Sequence, residues 1–203
     1  SIFKNAIKNK LWHLDIINIR NYAENSRIVD DTPYGGGAGM LLKAEPIAKA
    51  IDANIKNPHQ SKIIYPSPRG ELFHQRKAEQ FAADFDEISI VCGRYEGIDQ
   101  RVIDEYGMEE ISIGNYVVSG GELPAAIMVD SILRNVNGVL GANESLSEES
   151  FGKGIDSEYS NLLEYPQYTK PQKWRNREVP EILTTGHHGK IKEWRLKKAK
   201  ELT

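Results

Sequence analysis

The sequence predicts an α/β fold: an open, mostly parallel sheet followed by a separate, basic C-terminal module. Three observations carry this. Short β-branched runs alternate with amphipathic stretches through the first 140 residues. Glycine-bearing loops sit where several of those runs end, the place where open α/β sheets bind ligands. The charge is also split. Residues 161–203 carry ten Lys/Arg against five Asp/Glu, leaving 16 against 24 in residues 1–160. A basic tail on an acidic body suits a polyanion-binding module, and equally a solvated helix face.

The elements follow in order. Apolar spacing of 3 and 4 over residues 2–11 predicts a helix. LDIINI (14–19) is a short β-branched run and reads as a strand. Residues 30–39, DDTPYGGGAG, form a turn-rich loop, and Pro46 opens a short helix over 46–53. A strand over Lys62–Tyr65 is expected to stop at PSPRG, whose prolines cannot donate to a ladder. Residues 72–85 form an amphipathic helix. ISIVC (88–92) is a buried, parallel-type strand. A short helix follows near 99–106. ISIGNYVV (111–118) is a strand interrupted by Gly114. Ser119 and Glu122 then have capping-box spacing, with Pro124 in the first turn of a helix reaching Val136. Residues 141–160 are acidic and poor in apolar groups, and read as a flexible linker. The module beyond is punctuated by proline up to Pro180 and ends in a helix near 187–200.

Composition excludes several classes. With 39% hydrophobic and 27% charged residues, the 203-residue chain is neither disordered nor fibrous. No apolar run approaches the roughly 18 residues of a membrane span, and no secretory signal opens the chain. A single cysteine, Cys92, allows no internal disulfide and no cysteine-built zinc site, so a cytoplasmic setting is the default. The five histidines lack HExxH or HxH spacing, so no metal ligands are assigned. His187 and His188 could contact phosphate or begin a helix. Walker, GxGxxG and GxSxG patterns are absent, which disfavours a nucleotide-dependent oxidoreductase.

Three loops could carry chemistry. Tyr34–Gly39 offers consecutive glycines that let a backbone approach a planar ligand, or simply a flexible turn. VCGRYEGIDQR (91–101) releases a glycine, a cation, an aromatic ring and a carboxylate from one strand end. SIGNYVVSGGELP (112–124) puts Gly120 and Gly121 before a helix N-terminus.

In order and spacing, VDDTPYGGGAGML, IIYPSPRG, VCGRYEGIDQRV and SIGNYVVSGGELPA resemble the bacterial tRNA (guanine-N1)-methyltransferases, a SPOUT (trefoil-knot) family. LLEYPQYTKP and GHHGKIKEWRLKKA resemble that family's C-terminal helical domain, so the match spans residues 2–200. The resemblance implies a deep trefoil knot in a domain over residues 1–141, a linker over 142–160 and a tRNA-binding helical domain over 161–203. It implies a homodimer with active sites at the interface, and a reaction that methylates the guanosine directly 3′ of the anticodon from S-adenosylmethionine. Cofactor contacts carry over to Tyr65, Pro66, Ser67, Pro68, Gly93, Glu96, Ile113, Gly114, Asn115, Tyr116, Val117, Val118, Gly120, Gly121 and Pro124. Substrate contacts fall on Gly37, Gly39, Tyr95, His188 and Arg195. A Mg²⁺ dependence is implied by the resemblance only.

Guanine N1 keeps its proton at neutral pH, so a general base is expected. Glu164 stands where the family has an aspartate, with Asp156 and Glu158 as substitutes. The family's arginine beyond the knot has no counterpart in Gly141–Asn143, so Arg94 or a basic residue of a partner chain would stabilise charge developing on O6. Ala38, Asn115, Gln167 and Lys170 replace the usual proline, aspartate, histidine and arginine. Family members often begin with a further strand, which puts the sheet's completeness in question. The alternatives are another SPOUT methyltransferase acting on a different base or on ribose, and a non-catalytic RNA-binding homologue.

Overall fold

Strand β3 (Lys62–Leu72) is the spine of the sheet, and its side chains alternate between two cores. The computed structural model describes residues 2–24, 28–58, 60–140, 149–152 and 160–203. The element order in the first part is α1 (Ile2–Lys8), β1 (Asp30–Asp31), β2 (Leu41–Leu42), α2 (Ala44–Asn54), β3, α3 (Gln75–Asp84), β4 (Ile88–Ile90), α4 (Gln100–Glu105), β5 (Glu109–Ser112) and α5 (Glu122–Leu133). The sheet order is β4-β3-β5, with both neighbours parallel to β3, as the alternation predicts. Ile63 and Tyr65 face a core with Ile47 and Ile51 of α2 and Val102 and Ile103 of α4. Ile64, between them, faces Phe81 of α3 and Met128 and Ile132 of α5. Each such buried side chain contributes about 1.5–3 kcal/mol, so the three layers secure the strand ends that carry the loops.

A polar clamp ties three elements together. Lys77 of α3, almost fully buried, reaches Glu109 of β5 at 2.6 Å and Glu71 of β3 at 2.5 Å. Lys62 also pairs with Glu109, and its ammonium lies 5.1 Å from the Phe81 ring centroid. Burial pushes the Glu109 carboxyl up, but hydrogen bonds from Lys62 and Lys77 outweigh it and leave its pKa lowered.

Several expectations need correction. β3 runs through PSPRG rather than stopping at Tyr65. Both Pro66 and Glu71 stand opposite Ile111, so residues 67–70 bulge out of the ladder and Pro68 owes it no N–H. The chain then passes so close that a Cβ on Gly70 would lie 2.3 Å from the Glu110 and Ile111 backbone. Residues 14–18 are not a strand: no described strand pairs with them, and Leu14, Ile16 and Ile17 are exposed. α3 starts at Gln75 because Leu72 belongs to β3. α2 starts at Ala44, two residues before Pro46. β4 ends at Ile90, before Cys92, and β5 ends at Ser112 because the loop bends at Gly114, whose φ is 148°. The capping box does not form. Gly121 is the N-cap of α5 without a side-chain bond, and Glu122 pairs with Arg94 instead. α5 ends at Leu133, short of Val136.

Two compact units are distinguishable, Ser1–Leu140 and Gly141–Thr203. In the second, a two-residue turn joins β6 (Lys173–Trp174) to β7 (Arg177–Glu178). A 3₁₀ turn (Glu181–Thr184) then leads to α6 (His188–Leu202). The linker expected over 142–160 falls mostly on residues 141–148 and 153–159, outside the described residues, together with Gly141–Asn143, Asp156 and Glu158.

Candidate functional site

A cavity of about 240 Å³ opens beside the middle of β3 and the C-terminal ends of β4 and β5. One water needs only about 10–15 Å³, so this space suits a small molecule. Three sequence segments wall it. Tyr65–Pro68 is where β3 begins to bulge, Gly93–Gly97 is the loop after β4, and Ile111–Gly114 with Tyr116–Gly121 leads to Pro124 of α5. Every residue expected to hold the cofactor lines it except Asn115, and Arg94 and Tyr95 line it too.

Backbone packing sets the walls. The Gly121 N–H donates to the Gly93 carbonyl at 2.9 Å, and Arg94 and Gly120 form an antiparallel bridge. A Cβ on Gly121 would meet Cys92 Cα at 2.7 Å, and one on Gly93 would meet the Tyr65 ring at 2.9 Å. Glycine is required at both by this close approach. Burial pushes the Tyr65 phenol up, while a hydrogen bond from the Ile98 backbone works against it. Burial also raises the Cys92 thiol to about 11, with the Glu122 carboxylate adding to the effect. Burial thus disfavours the Cys92 thiolate.

Arg94 is already engaged. Its Nε and one terminal nitrogen both reach Glu122 Oε1 at 2.9 Å. Both side chains are about half exposed, so the pair is worth roughly 0.2–1 kcal/mol and yields to a better partner. Gly37 and Gly39 lie outside the lining, on the loop held to it by the Glu96 N–H donating to the Met40 carbonyl at 3.1 Å. The Glu96 carboxylate packs against Gly39.

The remaining candidates belong to the second unit. Glu164 is exposed and accepts from Gln167 Nε2 at 2.7 Å, while its own N–H donates to Ser150 Oγ at 2.9 Å. His187 is the N-cap position of α6, and His188 is its first, exposed residue. The Arg195 guanidinium lies 4.7 Å from the Tyr165 ring centroid.

Sequence reasoning missed Gly97, Ile111, Ser112 and Ser119 in the lining. Ser112 is buried, and its hydroxyl accepts from the Gly114 N–H at 3.2 Å, fixing the bend that follows β5. A serine two residues before a glycine was the available signal. Among the described residues, no three His, Cys, Asp or Glu side chains gather as a metal-holding cluster, and no helix is long and apolar enough to cross a membrane.

A parallel α/β/α unit whose glycine loops close on one cavity defines a ligand-binding α/β protein of the enzyme type. Comparison with known proteins makes this specific. Residues 1–203 match the family described as tRNA (Guanine-1)-methyltransferase TrmD. Curated relatives carry the name tRNA (guanine-N(1)-)-methyltransferase. The one from Alkaliphilus oremlandii is 46% identical over 210 aligned positions, covering 100% of this chain and 81% of the relative. Those from Anaplasma phagocytophilum and Pelagibacter ubique are 48% and 45% identical, covering 94% and 100% of this chain and 78% and 85% of the relatives. The chain belongs to the tRNA (guanine-1)-methyltransferase family.

Proposed function

We propose that this protein transfers a methyl group to N1 of the guanosine directly 3′ of the anticodon in tRNA. The observation that carries the reading is the cavity where β3 bulges beside the ends of β4 and β5, walled by glycine loops and by the half-exposed Arg94. S-adenosylmethionine supplies the methyl group as a sulfonium electrophile when bound. The residues present fit it: the cavity has room for a flat adenine between loops whose backbone groups can read its polar edge. Pro66, Pro68, Val118 and Pro124 offer apolar surface to its faces.

Glu164 takes the N1 proton, a step worth about 10²–10⁴ in rate. Gln167 orients the carboxylate through its Nε2–H. Arg94 turns from Glu122 toward negative charge growing on guanine O6. The cavity loops hold the extruded base, with Gly37, Gly39 and Tyr95 beside it. The basic second unit, with His188 and Arg195, grips tRNA phosphates, so affinity falls as salt rises.

We further propose that the chain around the cavity is threaded as a trefoil knot. The likeness of the glycine loops to those of the trefoil-knot family supports this. A homodimer is proposed because Val117, Leu123 and Ile127 leave apolar surface exposed on the loop and helix beside the cavity. A cytoplasmic location accords with the single, reduced cysteine.

The test is single-turnover methylation of an unmodified tRNA bearing that guanosine, with labelled S-adenosylmethionine, followed by nucleoside analysis. N1-methylguanosine at that position is the expected product. A methylated ribose or a different base would replace this reading with another reaction, and cofactor binding without RNA binding would end it.

A further inference from the structure

Trp174 and Arg175 do not belong to the cavity. Trp174 ends β6 and Arg175 begins the two-residue turn to β7. The other tryptophans have ring neighbours: Trp12 lies 5.5 Å from Phe3 and Trp194 lies 6.4 Å from Tyr168, centroid to centroid. Trp174 instead stands 57% exposed, with the Arg175 guanidinium 4.6 Å from its ring centroid. A cation over one face leaves the rest of a large aromatic surface in water, an unfavourable arrangement for a hairpin of this size.

Two further features point to a use. Arg175 holds φ at 55°, a left-handed conformation that glycine and asparagine supply at such turns and that arginine adopts at a cost. Asparagine is available at the next position, Asn176, yet the arginine takes the strained place beside the ring. Non-glycine backbone strain of this kind concentrates at functional positions. The surroundings are also cationic. Lys170, Lys173, Arg175 and Arg177 fall within eight residues, and no acid occurs from 165 to 177. Glu178 neutralises Lys173 at 3.0 Å.

An exposed aromatic face backed by a guanidinium and set among cations is the equipment of a stacking platform for an unpaired nucleobase. We propose that the Trp174–Arg175 hairpin tip stacks on an unpaired base of the substrate RNA, with neighbouring cations on the flanking phosphates. This deepens the tRNA reading given above and rests on it. Protein partners are the less favoured occupant, because an acid-free cationic tip suits a polyanion.

The experiment uses the full chain and two RNAs: an anticodon-type stem-loop, and a fully paired duplex of the same length and composition. Trp174→Ala is expected to weaken stem-loop binding by about 5- to 140-fold, the range for one stacked base. The slope of log Kd against log salt should not change, because the ring carries no charge. Binding to the duplex should change less than twofold, and Trp174→Phe should recover most of the loss. Calorimetric affinity for S-adenosylmethionine and the thermal midpoint report that the fold survives. Undiminished stem-loop binding by Trp174→Ala, or an equal loss on both RNAs, would overturn the inference. Methylation by the unsubstituted chain is assayed alongside. No N1-methylguanosine together with Trp174-dependent loop binding refutes the proposed reaction and leaves the platform standing.

Discussion

Replacing Gly121 by alanine tests the site's construction directly. Gly121 has φ −74° and ψ −11°, a conformation open to every residue, so strain in its own backbone cannot be the cause of any effect. The added methyl would instead sit 2.7 Å from Cys92 Cα and 2.9 Å from Gly93 N. Carbon atoms meet at about 3.5 Å or more, so the start of α5 must retreat by about 0.8 Å. That stretches the Gly121 N–H to Gly93 carbonyl bond from 2.9 Å past a useful length. Overpacking costs about 1–3 kcal/mol and the lost bond about 0.5–1.5. Alanine's lower unfolded-state entropy returns about 0.4–1. The net is about 0.5–4 kcal/mol, or a fall of about 1–16 °C in thermal midpoint. Calorimetry should also show S-adenosylmethionine affinity at least tenfold weaker, because both displaced segments wall the cavity. Gly189→Ala is the control: nothing lies within 4 Å of its added Cβ and it sits inside α6, so stability should hold or rise slightly. A Gly121→Ala protein melting within 1 °C of the parent, with unchanged affinity, would refute the backbone contact and the cavity wall built on it.

The other predictions concern charge. Glu109 has a lowered folded pKa, so its stabilising contribution is complete above the ordinary value of 4.5 and is lost as pH falls through the folded one. Lys77→Met should cost about 1–3 kcal/mol at pH 7 and flatten the loss of stability between pH 5 and 3; urea titrations that keep the parent's pH dependence would contradict this. Cys92 at about 11, against an ordinary 9.0, should react with a thiol reagent at pH 8 about 100-fold more slowly in the native protein than in urea. Glu164→Gln should keep S-adenosylmethionine affinity and lose about 10²–10⁴ in single-turnover rate, and normal turnover would remove it as the base. Arg94→Ala should lower that rate more than it lowers cofactor affinity, and the reverse order would make Arg94 a binding residue only.

What could be read from the sequence was what depends on composition. Glycine at 93, 114, 120 and 121 announces close approach by having no side chain, and all four line the cavity. Alternating apolar runs announced a parallel sheet, because a strand covered on both faces must be apolar on both, as Ile63, Ile64 and Tyr65 are. What could not be read depends on neighbours. LDIINI has a strand's pattern, but a strand is a pair, and no described strand lies beside residues 14–18. The prolines of PSPRG argued for a stop because a regular ladder needs each N–H. The bulge opposite Ile111 removed that demand at Pro68, which only the register with β5 could reveal.

Ser119 and Glu122 make the same point at the site itself. Their spacing satisfies the capping rule, yet the carboxylate is held by Arg94, 28 positions earlier in the chain. A local rule describes an isolated helix end; here that end is pressed against the loop after β4, and a cation there competes for the same group. The consequence is functional. With Glu122 neutralising it at rest, Arg94 adds little net positive charge to a cavity proposed to receive a sulfonium, which a free guanidinium would repel. In the proposed reaction, negative charge growing on the base would give the arginine a stronger partner to turn to, and the pair would favour the transition state over the bound reactants.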